Sequence, residues 1–491
     1  MIPFRFIPFA AAACLCSATT LLAAELKLAA PFESHMVLQR DKNIPVWGVA
    51  DAGAEVSVSF AGQKKTTRAG ASGKWTLALS PLVASSESRD FAVTATPPAG
   101  KTTPDGKPDT PATVVLKDVL VGEVWVCSGQ SNMEQGITFP NTLNGHKEAA
   151  AANYPLIRLK FSRKVAAETP QTAWHGSAWR VCSPDNIRRG TWNGFSAAAF
   201  FFGRDLHKEL KVPVGIIQVA WGGTRVEPWT PPAGFASVPK FAQLAKLRPK
   251  NVGKGHPSQP TALYNSMIHP LVPYAIRGAI WYQGEANLGE TDYAQKMAAL
   301  VQGWRAVWKQ GDFPFYFAQL APFVYRASPY QLPITMEQQT IFTTEVPNTG
   351  MAIINDVGNL RDIHPGDKQT VGARLARLAL SRIHGKKYAD DCGPLFKTAR
   401  ITGPHTIVVE FDNTNSGLTT RNGKAPDYFE LAGKDDIFHP ATAKIVGKTV
   451  EVTCEELAAV KQVRFAWRHD AEPNLANGEK LPAGAFRWKA K

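Results

Sequence analysis

The stretch Val121-Gly122-Glu123-Val124-Trp125-Val126-Cys127-Ser128-Gly129-Gln130-Ser131-Asn132 decides the fold class. Its first seven residues are mostly β-branched or aromatic, and it stops abruptly at a small, polar turn. That is a buried strand presenting a turn at its carboxyl end. The same grammar recurs downstream. Strands over 156–161, Val214–Ala220, 276–282, 315–320 and 351–354 alternate with helices over 196–210, Tyr293–Trp308 and 368–383. In Tyr293–Trp308 the residues Met297, Leu300, Val301, Trp304 and Trp308 fall on one side, the period of an amphipathic helix. Strands alternating with helices predict a parallel sheet in an α/β domain three layers thick, over 118–385. Sites in such sheets lie beyond the carboxyl ends of the strands. The polar turns at 128–132, 221–224 and 283–285 all fall there.

Outward from this domain the rhythm is that of short strands. In 25–117, Val56, Val58 and Phe60 alternate with Ser57 and Ser59. Further strands over Lys74–Leu79 and 91–96 precede a Pro/Gly/Thr/Lys-rich loop at 97–111. This predicts a β-sandwich. A second small sandwich, jelly-roll-like, is expected over 386–491 from strands at 406–411, 444–453 and 463–467. The segment 231–260, rich in Pro, Gly and Lys and without periodicity, is expected to form a cleft rim.

A chain of 491 residues is long enough for several domains, and 44% hydrophobic with 20% charged residues excludes a disordered, collagenous or coiled-coil protein. Lys+Arg number 55 against 41 Asp+Glu, a formal charge of +14. The basic residues are scattered, as at Arg188–Arg189, rather than gathered in the stripe that nucleic acid demands, so no nucleic acid partner is expected. Adhesion to acidic glycans or envelope surfaces fits the charge better. Arg5, an uncharged apolar run over 6–24 and the small residues Ala23 and Ala24 predict a cleaved signal peptide over 1–24. The protein is then secreted or periplasmic, with no membrane insertion after cleavage. Cys14 and Cys16 leave with that segment. Cys127, Cys182, Cys392 and Cys454 remain, an even number compatible with disulfides. They have no zinc-like spacing, so neither metal nor cofactor is expected.

The candidate chemistry sits at the strand ends. Ser131 follows the buried strand on a turn that can expose its hydroxyl beside backbone N–H groups, as a nucleophile requires. The turn is not the Gly-x-Ser-x-Gly elbow, because Met133 stands at the second glycine position. His364 lies just before the last helix and is followed by Pro365, which fixes its backbone. Asp362 or Asp356 is placed to orient its ring. Gly222 and Gly223 permit close backbone approach and free N–H donors, and Gln283 offers an amide at the next strand end.

These blocks resemble the sialate O-acetylesterase family, a branch of the SGNH hydrolases. The likeness is carried by the run from Gly122 to Glu134, by Trp221-Gly222-Gly223-Thr224, by Leu263-Tyr264-Asn265-Ser266-Met267-Ile268, by Ile280-Trp281-Tyr282-Gln283-Gly284-Glu285-Ala286-Asn287, and by Asp362-Ile363-His364-Pro365 with Lys368. Met36-Val37-Leu38-Gln39-Arg40 and Val46-Trp47-Gly48 extend it into the first sandwich. The resemblance implies an SGNH-type catalytic domain that removes O-acetyl groups from carbohydrates without a metal. It implies Ser131 as nucleophile, His364 as base, and an oxyanion hole from Ser131, Gly222, Gly223 and Gln283; Asp362 is taken as the third catalytic member, with Asp356, or a Ser–His pair without either, as the alternatives. Asn132, Arg225, Trp281 and Glu285 are expected at the substrate, Arg225 against a sugar carboxylate and Trp281 against a pyranose face. One position departs from the pattern: many SGNH hydrolases carry Asp three residues before the histidine, where this chain has Arg361. Two rival readings are a glycoside hydrolase using Glu134 and Glu285 as paired carboxylates and a non-catalytic glycan-binding protein. The choice of acetylated sugar and the oligomeric state are left open.

Overall fold

The computed structural model describes residues 26–102, 109–252 and 257–490. The expected signal peptide over 1–24 lies outside the described residues, as do parts of the 97–111 and 231–260 segments.

The stretch quoted above begins in the second half of an 18-residue strand, Ala112–Gly129, and runs three residues beyond its end. Exposure alternates along it up to Asp118, and every residue from Val119 to Gly129 is buried. The two halves have different partners. The first lies antiparallel to Ser85–Thr96, with Val93 opposite Val114. The second runs parallel between Val214–Ala220 and Gly278–Tyr282, with Ala220 and Tyr282 both level with Gly129. The strand passes unbroken through 117–118, where the change of rhythm suggests a domain boundary. What changes there is the surroundings: one face wet before, both faces covered after.

The sheet order is Arg180–Cys182, Tyr154–Phe161, Val214–Ala220, Ala112–Gly129, Gly278–Tyr282, Phe315–Ala318, Thr349–Ala352. Pairing is parallel except at the Arg180–Cys182 edge. Val37–Gln39 runs parallel to Leu120–Gly122, and the buried Gln39 Oε1 accepts from Val124 N–H at 2.8 Å. The N-terminal segment is thereby stitched to the central strand.

Helix Ala197–Leu210 is capped by Ser196, whose Oγ accepts from Ala199 N–H. It packs on helix Lys368–Arg382 and meets the sheet at Gly203, where a β-carbon would stand 2.2 Å from Ile216 Cδ1. Helix Tyr293–Trp308 packs on Gln331–Glu345, and its Trp304 meets Trp281 of the sheet edge-on at 6.2 Å. The sequence reading has no helix at Gln331–Glu345. Pro333 and a run of Thr and Ile weaken its pattern, although proline in a first turn removes no intrahelical bond.

Beyond Ile383 lie two four-stranded antiparallel sheets, Leu395–Ile401, Thr406–Asp412, Thr449–Thr453, Thr442–Val446 and Phe438–Pro440, Phe429–Ala432, Gln462–Phe465, Phe486–Lys489. Phe486 of one rests on Phe396 and Phe411 of the other, with ring centroids 4.5 and 5.7 Å apart. The single strand expected at 444–453 is a hairpin turning at Gly447, whose φ is +61°.

Two expectations are corrected. Cys127, Cys182, Cys392 and Cys454 are all free and buried, so an even count here signals no disulfide. The 231–260 segment forms helical turns at Pro232–Ala236, Pro239–Phe241 and Leu244–Lys246. It packs on Tyr293–Trp308 at Gly234, where a β-carbon would stand 2.0 Å from Ala299 O. None of its described residues lines the cleft.

Candidate active site

The register that levels Gly129, Ala220 and Tyr282 brings the three polar turns to one edge. Gly129, at φ +141°, lies so close to the next strand that a β-carbon would stand 2.1 Å from Tyr282 O. Only glycine fits there. Gln130 N–H then donates to Tyr282 O at 3.0 Å, and Ser131 starts the one-turn helix Ser131–Glu134. At this edge opens a cavity of about 520 Å³ lined by Ser131, Glu134, Lys164, Trp192, Gly223 and His364, among others. The nucleophile and base expected from the sequence thus face one cavity from segments more than two hundred residues apart.

His364 is held by its own loop. Asp362 Oδ1 accepts from His364 N–H at 3.0 Å and from ring Nδ1 at 3.2 Å. Asn141 Nδ2 donates to Asp362 Oδ2 at 2.6 Å and to His364 O at 2.8 Å. An ionised carboxylate only accepts, so Nδ1 carries the proton and Nε2 is left basic. Asp356, the other candidate, grips Arg374 through both oxygens at 2.6 and 2.7 Å, leaving Asp362 as the ring's partner. Trp192 stands edge-on to the imidazole at 5.2 Å. Burial, and then the charge of Lys368, push the imidazole below its ordinary range, against the pull of Asp362. The ring's one hydrogen bond among the described residues is to Asp362.

The backbone donors differ from expectation. Gly222 N–H is not free: it donates to Glu134 Oε2 at 2.8 Å. The N–H groups of Ser131 and Gly223 have no acceptor among the described residues, and Gly223 has open space where a β-carbon would be. Gln283 is wholly buried and outside the cavity lining. Its Nε2 donates to Thr224 O at 3.1 Å and Asn287 Oδ1 at 2.8 Å, and its Oε1 accepts from Tyr293 OH at 2.6 Å. Both amide hydrogens are spent on holding neighbouring turns, which removes Gln283 as a direct oxyanion donor.

Of the four residues expected at the substrate, Glu285 lines the cavity. Trp281 is fully buried, packed edge-on against Trp229 and Trp304. Arg225 lies off the lining and pairs with Glu227 at 2.8 Å and with Glu290. Asn132 is buried: its Nδ2 donates to Glu285 Oε1 at 2.5 Å and Ile363 O at 3.0 Å, and its Oδ1 accepts from Lys368 Nζ at 2.5 Å. Burial pushes the Glu285 carboxyl above its usual range, and Glu285 Oε2 has no hydrogen-bond partner among the described residues. Residues that the sequence reading missed are Trp192, Lys164 and Asn141. Lys164 Nζ stands 2.7 Å from Glu134 Oε1, an ion pair not aligned as a hydrogen bond. Each is a single residue in a connecting segment, without a motif to mark it.

The two carboxylates of the rival glycosidase reading, Glu134 and Glu285, do line the cavity. Glu134 is committed to Lys164 and Gly222, however, and the rivals leave the Ser131–His364–Asp362 grouping without a role. Comparison with known proteins bears on the same choice. The profile of the family described as carbohydrate esterase, sialic acid-specific acetylesterase matches residues 121–381. Rat sialate O-acetylesterase is 31% identical over 436 residues, covering 78% of each chain. The human sialate O-acetylesterase is 32% identical over 401 residues, 75% of this chain and 73% of its own. A carbohydrate acetylesterase from Xanthomonas citri, known from its crystal structure, superposes with a TM-score of 0.81 at 33% identity, covering 95% of this chain and all of that one. The chain belongs to the sialic acid-specific acetylesterase family of carbohydrate esterases and is a carboxylic ester hydrolase.

Proposed function

We propose that this esterase removes O-acetyl groups from sugars through an acyl-enzyme on Ser131, with His364 as general base and Asp362 orienting it. The observation that carries the reading is the shared cavity: Ser131, His364 and Gly223 all line it, His364 Nδ1 is engaged by Asp362, and the Ser131 and Gly223 N–H groups have no acceptor among the described residues. His364 Nε2 takes the Ser131 proton as Oγ attacks the acetyl carbon. The carbonyl oxygen gains charge opposite the Ser131 and Gly223 N–H groups. His364 then returns the proton to the departing sugar oxygen, the C–O bond breaks, and acetyl stays on Ser131. Water deprotonated by His364 attacks that ester, and acetate leaves as Ser131 regains its proton.

Substrates in this reading are O-acetylated sialic acids, acetylated xylan or other acetylated glycans. The domain plan is an SGNH-type three-layer α/β/α catalytic unit over 118–385, between β-sandwich units over 25–117 and 386–491. The profile match at 121–381 supports the central part. Export through a signal peptide over 1–24 completes the proposal. Acetate release from an aryl acetate, O-acetylated sialic acid and acetylated xylan oligosaccharides, measured for wild type and Ser131→Ala, tests it. The variant should lose at least about 10³-fold in kcat, as serine nucleophiles do, and near-normal release would refute the mechanism.

A further inference from the structure

Lys368 opens helix Lys368–Arg382 and its side chain is fully buried. The Nζ donates to Asn132 Oδ1 at 2.5 Å and stands 5.1 Å from the centre of the Tyr282 ring. Among the described residues no carboxylate pairs with it directly. A buried ammonium without a counter-charge is expensive, and burial pushes this amine down to about 7. What Lys368 touches accounts for its being there. Asn132 follows the nucleophile, and its Nδ2 donates to Glu285 Oε1 and to Ile363 O, the peptide just ahead of His364. One amide therefore ties the Ser131 turn, the 283–287 turn and the His364 loop together. Lys368 on one side and Glu285 on the other fix which way that amide points.

We propose that Lys368 is a positioning residue of the esterase, locking the Ser131 turn to the His364 loop through Asn132. The assignment rests on the Ser131–His364 reading above. It has an electrostatic corollary: the Lys368 charge favours neutral, basic His364. The groups facing Lys368 are Glu285, Asp362, Asp367, His364 and Tyr282. Those facing His364 are Lys368 and Asp362, with Glu134, Lys164 and Glu285 on the walls of the same cavity.

The test uses the full chain with Lys368→Met, which removes donor and charge, and Lys368→Gln, which keeps an N–H donor for Asn132 and removes the charge. Two readouts are taken: kcat and KM on an aryl acetate, and the His364 imidazole titration by NMR, assigned with His364→Gln. In Lys368→Met, kcat should fall about 10²-fold, as loss of reactive alignment does, with KM little changed. Lys368→Gln should recover part of that loss. The His364 midpoint should rise in both, because a positive neighbour that lowers it has gone. The titration needs no turnover, so it judges Lys368 even if the esterase reading fails on Ser131→Ala. Unchanged kcat and an unmoved His364 midpoint in Lys368→Met would overturn the proposal. So would equal losses in both variants with an unmoved midpoint, the mark of a merely structural lysine.

Discussion

The central strand carries buried polar groups at two levels, and they are treated in opposite ways. Towards its middle, Glu123 is wholly buried and closed on every side. Arg40 Nε stands 2.5 Å away, Arg277 forks it at 2.7 and 3.0 Å, and His384 lies behind. Burial alone would raise that carboxyl, but Arg277, His384 and Arg40 together hold it below its usual range. At the strand's carboxyl end the opposite holds. Among the described residues Ser128 Oγ and Glu285 Oε2 are buried without partners, the Ser131 and Gly223 N–H groups have no acceptor, and a cavity opens. Along one strand, then, one level closes its charges on one another and the other leaves polar groups unpaired beside a cavity.

Crossed substitutions test that contrast most severely. His364→Ala should lower kcat by about 10²–10⁴-fold, the usual range for a general base, and leave the unfolding midpoint nearly where it was. Glu123→Gln should do the reverse. Removing one partner of a buried charge cluster costs about 3–5 kcal/mol, read in urea unfolding, with the rate per folded molecule unchanged. If Glu123→Gln lost activity without stability, the two levels would not be separate in role.

A smaller effect concerns pH. The base must be unprotonated, so activity is full above the His364 midpoint and is lost as pH falls through it. That midpoint lies below the ordinary 6.5, chiefly through burial and then Lys368. The acid limb of kcat/KM should therefore fall below pH 6.5. A limb centred above the ordinary histidine value would remove either His364 as base or Lys368 as its neighbour.

Much of the fold and part of the candidate site were legible in the sequence, and the rest was hidden for identifiable reasons. Val214–Ala220 and Tyr293–Trp308 have the bounds that periodicity predicts, because each satisfies its pattern within one segment. The central strand reads as beginning at 121, since its first half belongs to a different sheet environment and shows a different alternation. Ser131, His364 and Asp362 are readable from local chemistry and resemblance. The spending of Gln283 is not, because it takes Thr224, Asn287 and Tyr293 from separate segments to absorb the amide. Gly222 escapes for the same reason: the acceptor of its N–H, Glu134, lies 88 residues away in the chain. Trp281 flanks a site turn in sequence but points into the core, since a one-residue step along a strand exchanges faces.

The finest test separates Asp362 from Asp356, two aspartates between which the sequence leaves the choice open. Asp362 serves three donors: Oδ1 takes His364 N–H and Nδ1, and Oδ2 takes Asn141 Nδ2. In Asp362→Asn one of those positions becomes a donor, so either the His364 ring or Asn141 faces an N–H group. The Asp362 side chain is 37% exposed, so solvent screens the pair and the loss should be modest, about 1 kcal/mol or severalfold in kcat/KM. The pH profile carries the sharper signal. Asp362 raises the His364 midpoint against burial and Lys368, so its removal should move the acid limb to still lower pH, opposite to Lys368→Met. Asp356→Asn should move neither rate nor limb, and should cost only the Arg374 pairing. A limb that shifted in Asp356→Asn and stayed put in Asp362→Asn would exchange the two roles, and with them the argument that a histidine two residues from its aspartate can be held by its own loop.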